Sequence, residues 1–181
     1  MEETAHKLAG LGYLAVRPAY RLVPTAIHPA QVSDVRCAAR WVRDHAGAYG
    51  APARGFIGGA SAGGHLALLT ALAPDDASDL DTGDCPWSGP VSFRGAFGWG
   101  GVYDFGEAGF PDWVSDSITA LLGRAPADDP AGAAAASPIG YLGPDSPPIL
   151  LAHGERDNIV PYIQSAAMHA RAMASGTRST F

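Results

Sequence analysis

The chain has 181 residues and a mass of 18.6 kDa, with 47% hydrophobic and 17% charged residues, which excludes wholesale disorder and provides for a sizeable core. Its net charge is −6, and seven of the twelve basic residues fall in the first third of the chain without forming a basic face, so nucleic-acid binding is not expected. No apolar run approaches the ~20 residues of a membrane span, and no basic segment followed by an apolar stretch marks a signal peptide. The expectation is a soluble, mildly acidic globular protein or part of one. Localisation stays open, with the cytoplasm marginally ahead, and so does the oligomeric state. Two cysteines, Cys37 and Cys85, are too few for a disulfide framework or a Cys-rich zinc site, and they do not report a redox compartment.

In chain order, residues 2–10 read as the end of a helix stopped by Gly10 and Gly12. Tyr13–Arg17 is a short apolar run before Pro18 and reads as a strand. Val32, Val35, Ala39, Val42 and Ala46 recur three or four apart, which describes an amphipathic helix over 31–46. Phe56 and Ile57 sit in a very short strand before a glycine-rich turn, and 62–73 is almost wholly apolar or small, a helix buried on most sides. Five aspartates between Asp75 and Asp84 lack the ligand spacing of a calcium loop and read as a solvated acidic loop. Strand signals recur at 93–99 and 149–152, and helix signals at 113–122 and from Pro161 to about Ala174. The stretch 125–136 reads as a surface loop or frayed helix. Alternating strands and helices predict a mostly parallel sheet with helices on both faces.

The most informative segment is Gly58-Gly59-Ala60-Ser61-Ala62-Gly63-Gly64-His65. It holds G-x-S-x-G between a predicted strand and a buried helix, the context a nucleophile elbow requires. Such a turn strains the Ser61 backbone, lifts its hydroxyl above the sheet and aims the Ala62 N–H at a developing oxyanion. The plainer alternative is a strand–turn–helix in which Ser61 only caps the helix.

At these residues the chain resembles the α/β-hydrolase superfamily, in its esterase/lipase branch that includes hormone-sensitive-lipase-like and feruloyl-esterase-like (BD-FAE) enzymes. Tyr20-Arg21-Leu22-Val23-Pro24 resembles the Y-R-L-x-P segment after the fourth strand. His28-Pro29-Ala30-Gln31 with Asp34-Val35 resembles the entry to the next helix, and Trp41-Val42 its aromatic-aliphatic pair. Ser61-Ala62-Gly63-Gly64-His65 resembles the family's elbow. Ser137-Pro138, Pro147-Pro148 and His153-Gly154-Glu155-Arg156-Asp157-Asn158-Ile159-Val160-Pro161 resemble the segment that carries the acidic triad member.

The resemblance implies Ser61 as nucleophile, Asp157 as the acid that orients a histidine, and Ala62 N–H as half of the oxyanion hole. Asp104 and Glu155 are rivals for the acid, and a turn aspartate bonding nearby amides is the structural alternative for Asp157. No histidine fits the base. His169 falls in the middle of the last helix, where Ile163, Ala166, Ala167 and Ala170 are expected to form the core stripe. His65 lies one helical turn beyond Ser61, and His153 matches a motif position that is not the base. His6, His28 and His45 have no motif behind them. The resemblance also implies a missing HGG-type loop upstream and a central strand absent between the fourth and fifth, so that Tyr13–Arg17 would either pair with the 56–57 strand or detach. Arg178–Phe181 would begin the final strand.

The expectation is therefore one partial α/β-hydrolase domain over 1–181, lacking the first strands and the end of the last, with a cap or substrate-facing insertion within 74–148. Trp87, Trp99, Tyr103, Phe105, Phe110 and Trp113 are candidate apolar lining. Its chemistry would be hydrolysis of a small-molecule carboxylic ester through an acyl-serine, without metal or organic cofactor. The isolated chain would be inactive for want of a base. A non-catalytic binding module of the same fold, or an amide or formamide hydrolase, remains the alternative.

Overall fold

The computed structural model describes residues 2–181. Four parallel strands, β1 (Phe56–Ala60), β2 (Gly95–Trp99), β3 (Ile149–Ala152) and β4 (Ser179–Thr180), lie side by side in chain order. The helices are α1 (Glu2–Gly10), α2 (Ala30–His45), α3 (Ala62–Leu72), α4 (Asp112–Leu122), α5 (Pro130–Ala135) and α6 (Ile163–Ala174). Parallel neighbours need a crossover between them, and α3 and α6 supply it for β1–β2 and β3–β4. All four strands therefore point the same way, and the turns at their C-terminal ends gather along one rim of the sheet. The acid-bearing segment follows β3 at that rim, as the elbow follows β1.

The core lies between the sheet and α3 and α6. Leu68 and Leu72 of α3 meet Ala96, Ile149 and Leu151 of the strands and Met168 and Ala172 of α6. Leu66 and Leu69, on another side of α3, pack against Val32 and Val35 of α2 and against Leu80. Leu68 and Leu69 are 0% exposed, so α3 is buried nearly all round, as its composition predicts. The expectation of helices on both faces is corrected. Phe56, Phe97, Trp99 and Leu150 alternate onto the opposite face and are all exposed, and no helix covers them among the described residues. Hydrophobic period identifies a helix but not the face of the sheet on which it settles.

Four further expectations are corrected. Tyr13–Arg17 is not a strand: it takes no part in the sheet, and Tyr13 is 59% exposed. An apolar run becomes a strand only where a neighbour offers a hydrogen-bonding edge. The short strand at 56–57 extends through Ala60. The core stripe of α6 is turned by about one residue, with Gln164, Ser165, Met168 and Ala172 buried and Ile163 46% exposed. The acidic loop is not merely solvated, because α2 holds it. Arg36 donates to the carbonyls of Pro74 and Asp75 at 2.9 and 2.8 Å, and Arg40 pairs with Asp81 at 2.8 Å. Arg43 donates to the carbonyls of Ser88 and Pro90, and Arg21, from the segment before α2, pairs with Asp84 at 3.1 Å. Arg21 also grips Asp34, joining the two motif pieces that precede and open α2.

Cys37 and Cys85 close this arrangement as a disulfide across 48 residues. The pair makes no framework, but it staples α2 to the acidic loop. Cys37 lines an open depression of about 350 Å³ with Val16, Pro18, Trp41 and Trp87, within reach of a soluble reductant. Closing a loop of this length stabilises by about 4 kcal/mol through the unfolded state. Cys37→Ser is expected to lower Tm by roughly 10 °C. Reductant should bring the parent chain down to the same value in a thermal melt and leave the variant unmoved.

Candidate active site

Ser61 stands between the last residue of β1 and the first of α3, with φ 52° and ψ −124°. It is the one non-glycine residue with positive φ among those described, and it is exposed. A residue held in such a backbone region costs about 1–3 kcal/mol, so the surroundings must impose it. They do so through two backbone hydrogen bonds, Ser61 N–H to the Trp99 carbonyl at 2.8 Å and His65 N–H to the Ser61 carbonyl at 3.0 Å. The first ties the turn to β2, and the second commits it to α3.

The turn closes because Gly59 and Gly63 touch backbone to backbone. A Cβ on Gly59 would sit 2.5 Å from the carbonyl carbon and oxygen of Gly63. A Cβ on Gly63 itself would meet nothing within 4 Å. The two glycines of the motif are thus unequal. Gly59→Ala is expected to force the elbow open and destabilise by about 2 kcal/mol or more, as overpacking against rigid backbone does. Gly63→Ala, in open space within α3, is expected to be neutral or stabilising by up to about 1 kcal/mol, and urea melts of both variants check the order.

Ala62 opens α3, so its N–H is one of the helix-terminal amides without an intrahelical partner, at the positive end of the helix dipole. Ala62 is exposed beside Ser61.

Asp157 follows β3 in the turn before α6. Its Oδ1 accepts from the amides of Ile159 at 2.8 Å and Val160 at 3.0 Å, and its Oδ2 lies 3.5 Å from His153 Nε2. Partial burial pushes its carboxyl pKa up, but the two amides and His153 outweigh that and hold it below the usual carboxylate value. A Cβ built on Gly100, just after β2, would lie 3.4 Å from Asp157 Oδ2, so this carboxylate comes against the turn that follows Trp99. Ser61 leaves β1 and bonds the Trp99 carbonyl from the other side. The two candidate triad members therefore flank the C-terminal end of β2. Of the rivals, Asp104 caps its own turn by accepting from Gly106 N–H at 2.8 Å, and Glu155 is exposed.

The histidines are mostly engaged elsewhere. His65 is 3% exposed, with Nε2 2.9 Å from the Ala136 carbonyl and its ring edge-on to Phe105. His153 binds Ser165 through Nδ1 and the Val160 carbonyl through Nε2. His169 Nδ1 meets Ser179 Oγ at 2.8 Å, and His45 bonds the Trp41 carbonyl and stacks on that indole. His6 is exposed on α1, and His28 is half-buried with its amide on the Leu121 carbonyl. The candidate lining residues separate: Tyr103 and Phe105 are buried in the core, whereas Trp99 and Trp113 are 67% and 59% exposed. Two polar residues absent from the sequence reading, Gln164 and Ser165, sit fully buried beneath the Asp157 turn. Their signal was a polar pair inside a helix of small apolar residues.

His65 has a consequence for stability. Burial pushes its pKa down to about 4 from 6.5, with the Ala136 carbonyl opposing and His28 adding slightly. The folded state refuses a proton that the unfolded chain takes up, so this contribution is complete above pH ~7 and is lost as pH falls towards 4. The loss amounts to about 3 kcal/mol. Urea melts of the parent and His65→Gln between pH 7 and 4 should show the parent falling more steeply.

A parallel sheet with helices packed on it and a serine on a strained strand-to-helix turn is the architecture of an α/β-hydrolase. The chain belongs to the BD-FAE family, whose sequence model matches residues 1–172. It is 34% identical over 173 residues to the esterase LipQ of Mycobacterium tuberculosis (strain ATCC 25618 / H37Rv), covering 94% of this chain and 40% of LipQ. A truncated carbohydrate esterase from gut microbiota superposes with a TM-score of 0.76 at 30% identity, over 90% of this chain and 62% of that one. The native structure of the thermophilic esterase Est2 of Thermogutta terrifontis also gives 0.76, at 27% identity over 98% and 61%. The chain thus spans about two fifths of LipQ's length and about three fifths of these solved structures.

Proposed function

We propose that this chain carries the nucleophile and acid of a carboxylic ester hydrolase that works through an acyl-serine. Ser61 Oγ attacks the ester carbonyl carbon while a histidine base accepts its proton. The base then returns that proton to the leaving alcohol, and the acyl-serine is released by water activated in the same way. Ala62 N–H donates to the oxyanion that develops on the carbonyl oxygen. Asp157 accepts from the Nδ1–H of the base, fixing its tautomer and stabilising its charged form. Asp157 Oδ1 is already held by two amides, and Oδ2 keeps the lone pairs this contact needs.

The observation that carries the reading is the Ser61 backbone itself. A serine that only capped α3 would take the ordinary extended geometry of a cap and bond an amide of the first turn. Ser61 instead has positive φ, and no side-chain cap bond is formed. Ester rather than amide cleavage is favoured because LipQ, the gut carbohydrate esterase and Est2 are all named esterases. The stretch holding α4 and α5, within 74–148, would supply a substrate-facing wall. It has its own cluster of Phe105, Val114, Ile118, Ala133 and Ala136 and hangs on α3 through His65.

Four of the six histidine rings are bonded elsewhere, and no contact brings His6 or His28 to Ser61, which supports the reading that the base is not among these 181 residues. Losing the base costs on the order of 10⁶ in rate in another serine hydrolase. The isolated chain is therefore expected to hydrolyse a p-nitrophenyl short-chain ester no faster than buffer does. Robust turnover abolished by Ser61→Ala would contradict this and reveal a base among the six. A non-catalytic binding module predicts the same silence but no gain when the missing polypeptide is restored, whereas the hydrolase reading predicts Ser61-dependent turnover.

A further inference from the structure

Two neighbouring polar side chains in the first turn of α6 are withdrawn from solvent, Gln164 at 1% exposure and Ser165 at 0%. Burying such groups is costly unless each is fully engaged, so their partners define what they are for. Gln164 reaches the loop after β2. Its Oε1 accepts from the amides of Tyr103 and Asp104 at 2.7 and 2.9 Å, and its Nε2 donates to the Asp104 carbonyl at 2.9 Å. Ser165 reaches the loop after β3, where its Oγ lies 2.7 Å from His153 Nδ1.

The His153 side chain is itself 0% exposed, and its protonation pattern follows from its partners. Nε2 is 2.9 Å from the Val160 carbonyl, which can only accept, so Nε2 carries the hydrogen. In the neutral ring Nδ1 then accepts from the Ser165 hydroxyl. The ring thus bridges α6 to the far end of the 153–160 loop. Val160 is held on both sides: its carbonyl takes the His153 proton, and its amide donates to Asp157 Oδ1 at 3.0 Å. Asp157 lies inside the loop that this ring closes. The loops fixed by Gln164 and by Ser165 meet at Gly100, whose Cβ position is 3.4 Å from Asp157 Oδ2 and 4.0 Å from His153 Nε2.

We infer that His153, held by Ser165 in its Nε2–H tautomer, is the positioning residue that sets the Asp157 carboxylate, and that Gln164 fixes the loop facing it. A side chain that merely filled this space could be apolar. Here Gln164 and the His153 Nε2–H are directed at the two loops bordering the acid, and His153 Nδ1 ties its loop to Ser165 of α6. The importance of the clamp for catalysis rests on the reading of Asp157 as the triad acid, but the clamp itself does not.

The test uses the isolated chain. In histidine-¹⁵N-labelled protein, long-range proton–nitrogen correlations should report His153 as the Nε2–H tautomer, and an Nδ1–H tautomer would overturn the inference without any variant. Amide exchange supplies the second readout. In His153→Phe and in Ser165→Ala the Ile159 and Val160 amides should exchange about tenfold faster, the loss of roughly one hydrogen bond's protection, while Leu68 and Leu69 in α3 keep their parent rates. Unchanged exchange at Ile159 and Val160 in a folded variant would overturn it. If His153→Phe does not fold, Ser165→Ala and the parent tautomer decide the matter. None of these readouts passes through turnover, so a failed clamp and a failed assignment of Asp157 as acid are told apart.

Discussion

The contact that the site depends on is the one between the backbones of Gly59 and Gly63. Because Gly59 carries no side chain to strike the Gly63 backbone, β1 can turn into α3 within a single residue, and that residue, Ser61, takes a positive φ. The strain of about 1–3 kcal/mol is offset by the helix that follows it. Each fully buried leucine of α3 contributes about 1.5–3 kcal/mol, and Leu68 and Leu69 are buried completely. The apolar character of α3 and the exposure of Ser61 are thus two sides of one arrangement. A rigid, deeply anchored helix holds an otherwise unfavourable turn in place at its exposed N-terminal end.

The acid side is built on the opposite logic. Asp157 lies in a loop with little apolar burial of its own, so polar groups fix it: two amides on Oδ1, and His153 and Ser165 beneath. The first turn of α6 reaches both loops that flank the end of β2, which couples the position of the carboxylate to the strand whose carbonyl also holds Ser61. Ser61 and Asp157 are in this way referred to a common element. The acidic loop and its disulfide belong to a separate region around α2 and bear on stability rather than on this geometry.

The elbow and the strand at 149–152 were legible in the sequence because their determinants are local: glycine spacing in one case, a bounded apolar run after two prolines in the other. The helix over 31–46 was legible too, yet the burial of its arginines, Arg36 and Arg40, was not. Whether an arginine faces water depends on what crosses above it, here a loop more than thirty residues away. The same limit explains Tyr13–Arg17, whose composition suits a strand but whose pairing depends on a neighbour. In α6, hydrophobicity favoured Ile163 for the core. Gln164 and Ser165 took the buried positions because the backbone of two distant loops satisfies them. Asp157 could be singled out as a candidate, but not the ring and hydroxyl that hold it.

If Ser61 alone among the serines is presented for nucleophilic attack, a fluorophosphonate ester should single it out. The chain is treated with the reagent, with imidazole added as a free base, and the modified peptide is mapped by mass spectrometry. A single phosphonyl group on Ser61, formed faster with imidazole than without, is the expected result. Labelling that spares Ser61, or that spreads over the other serines at similar rates, would overturn it.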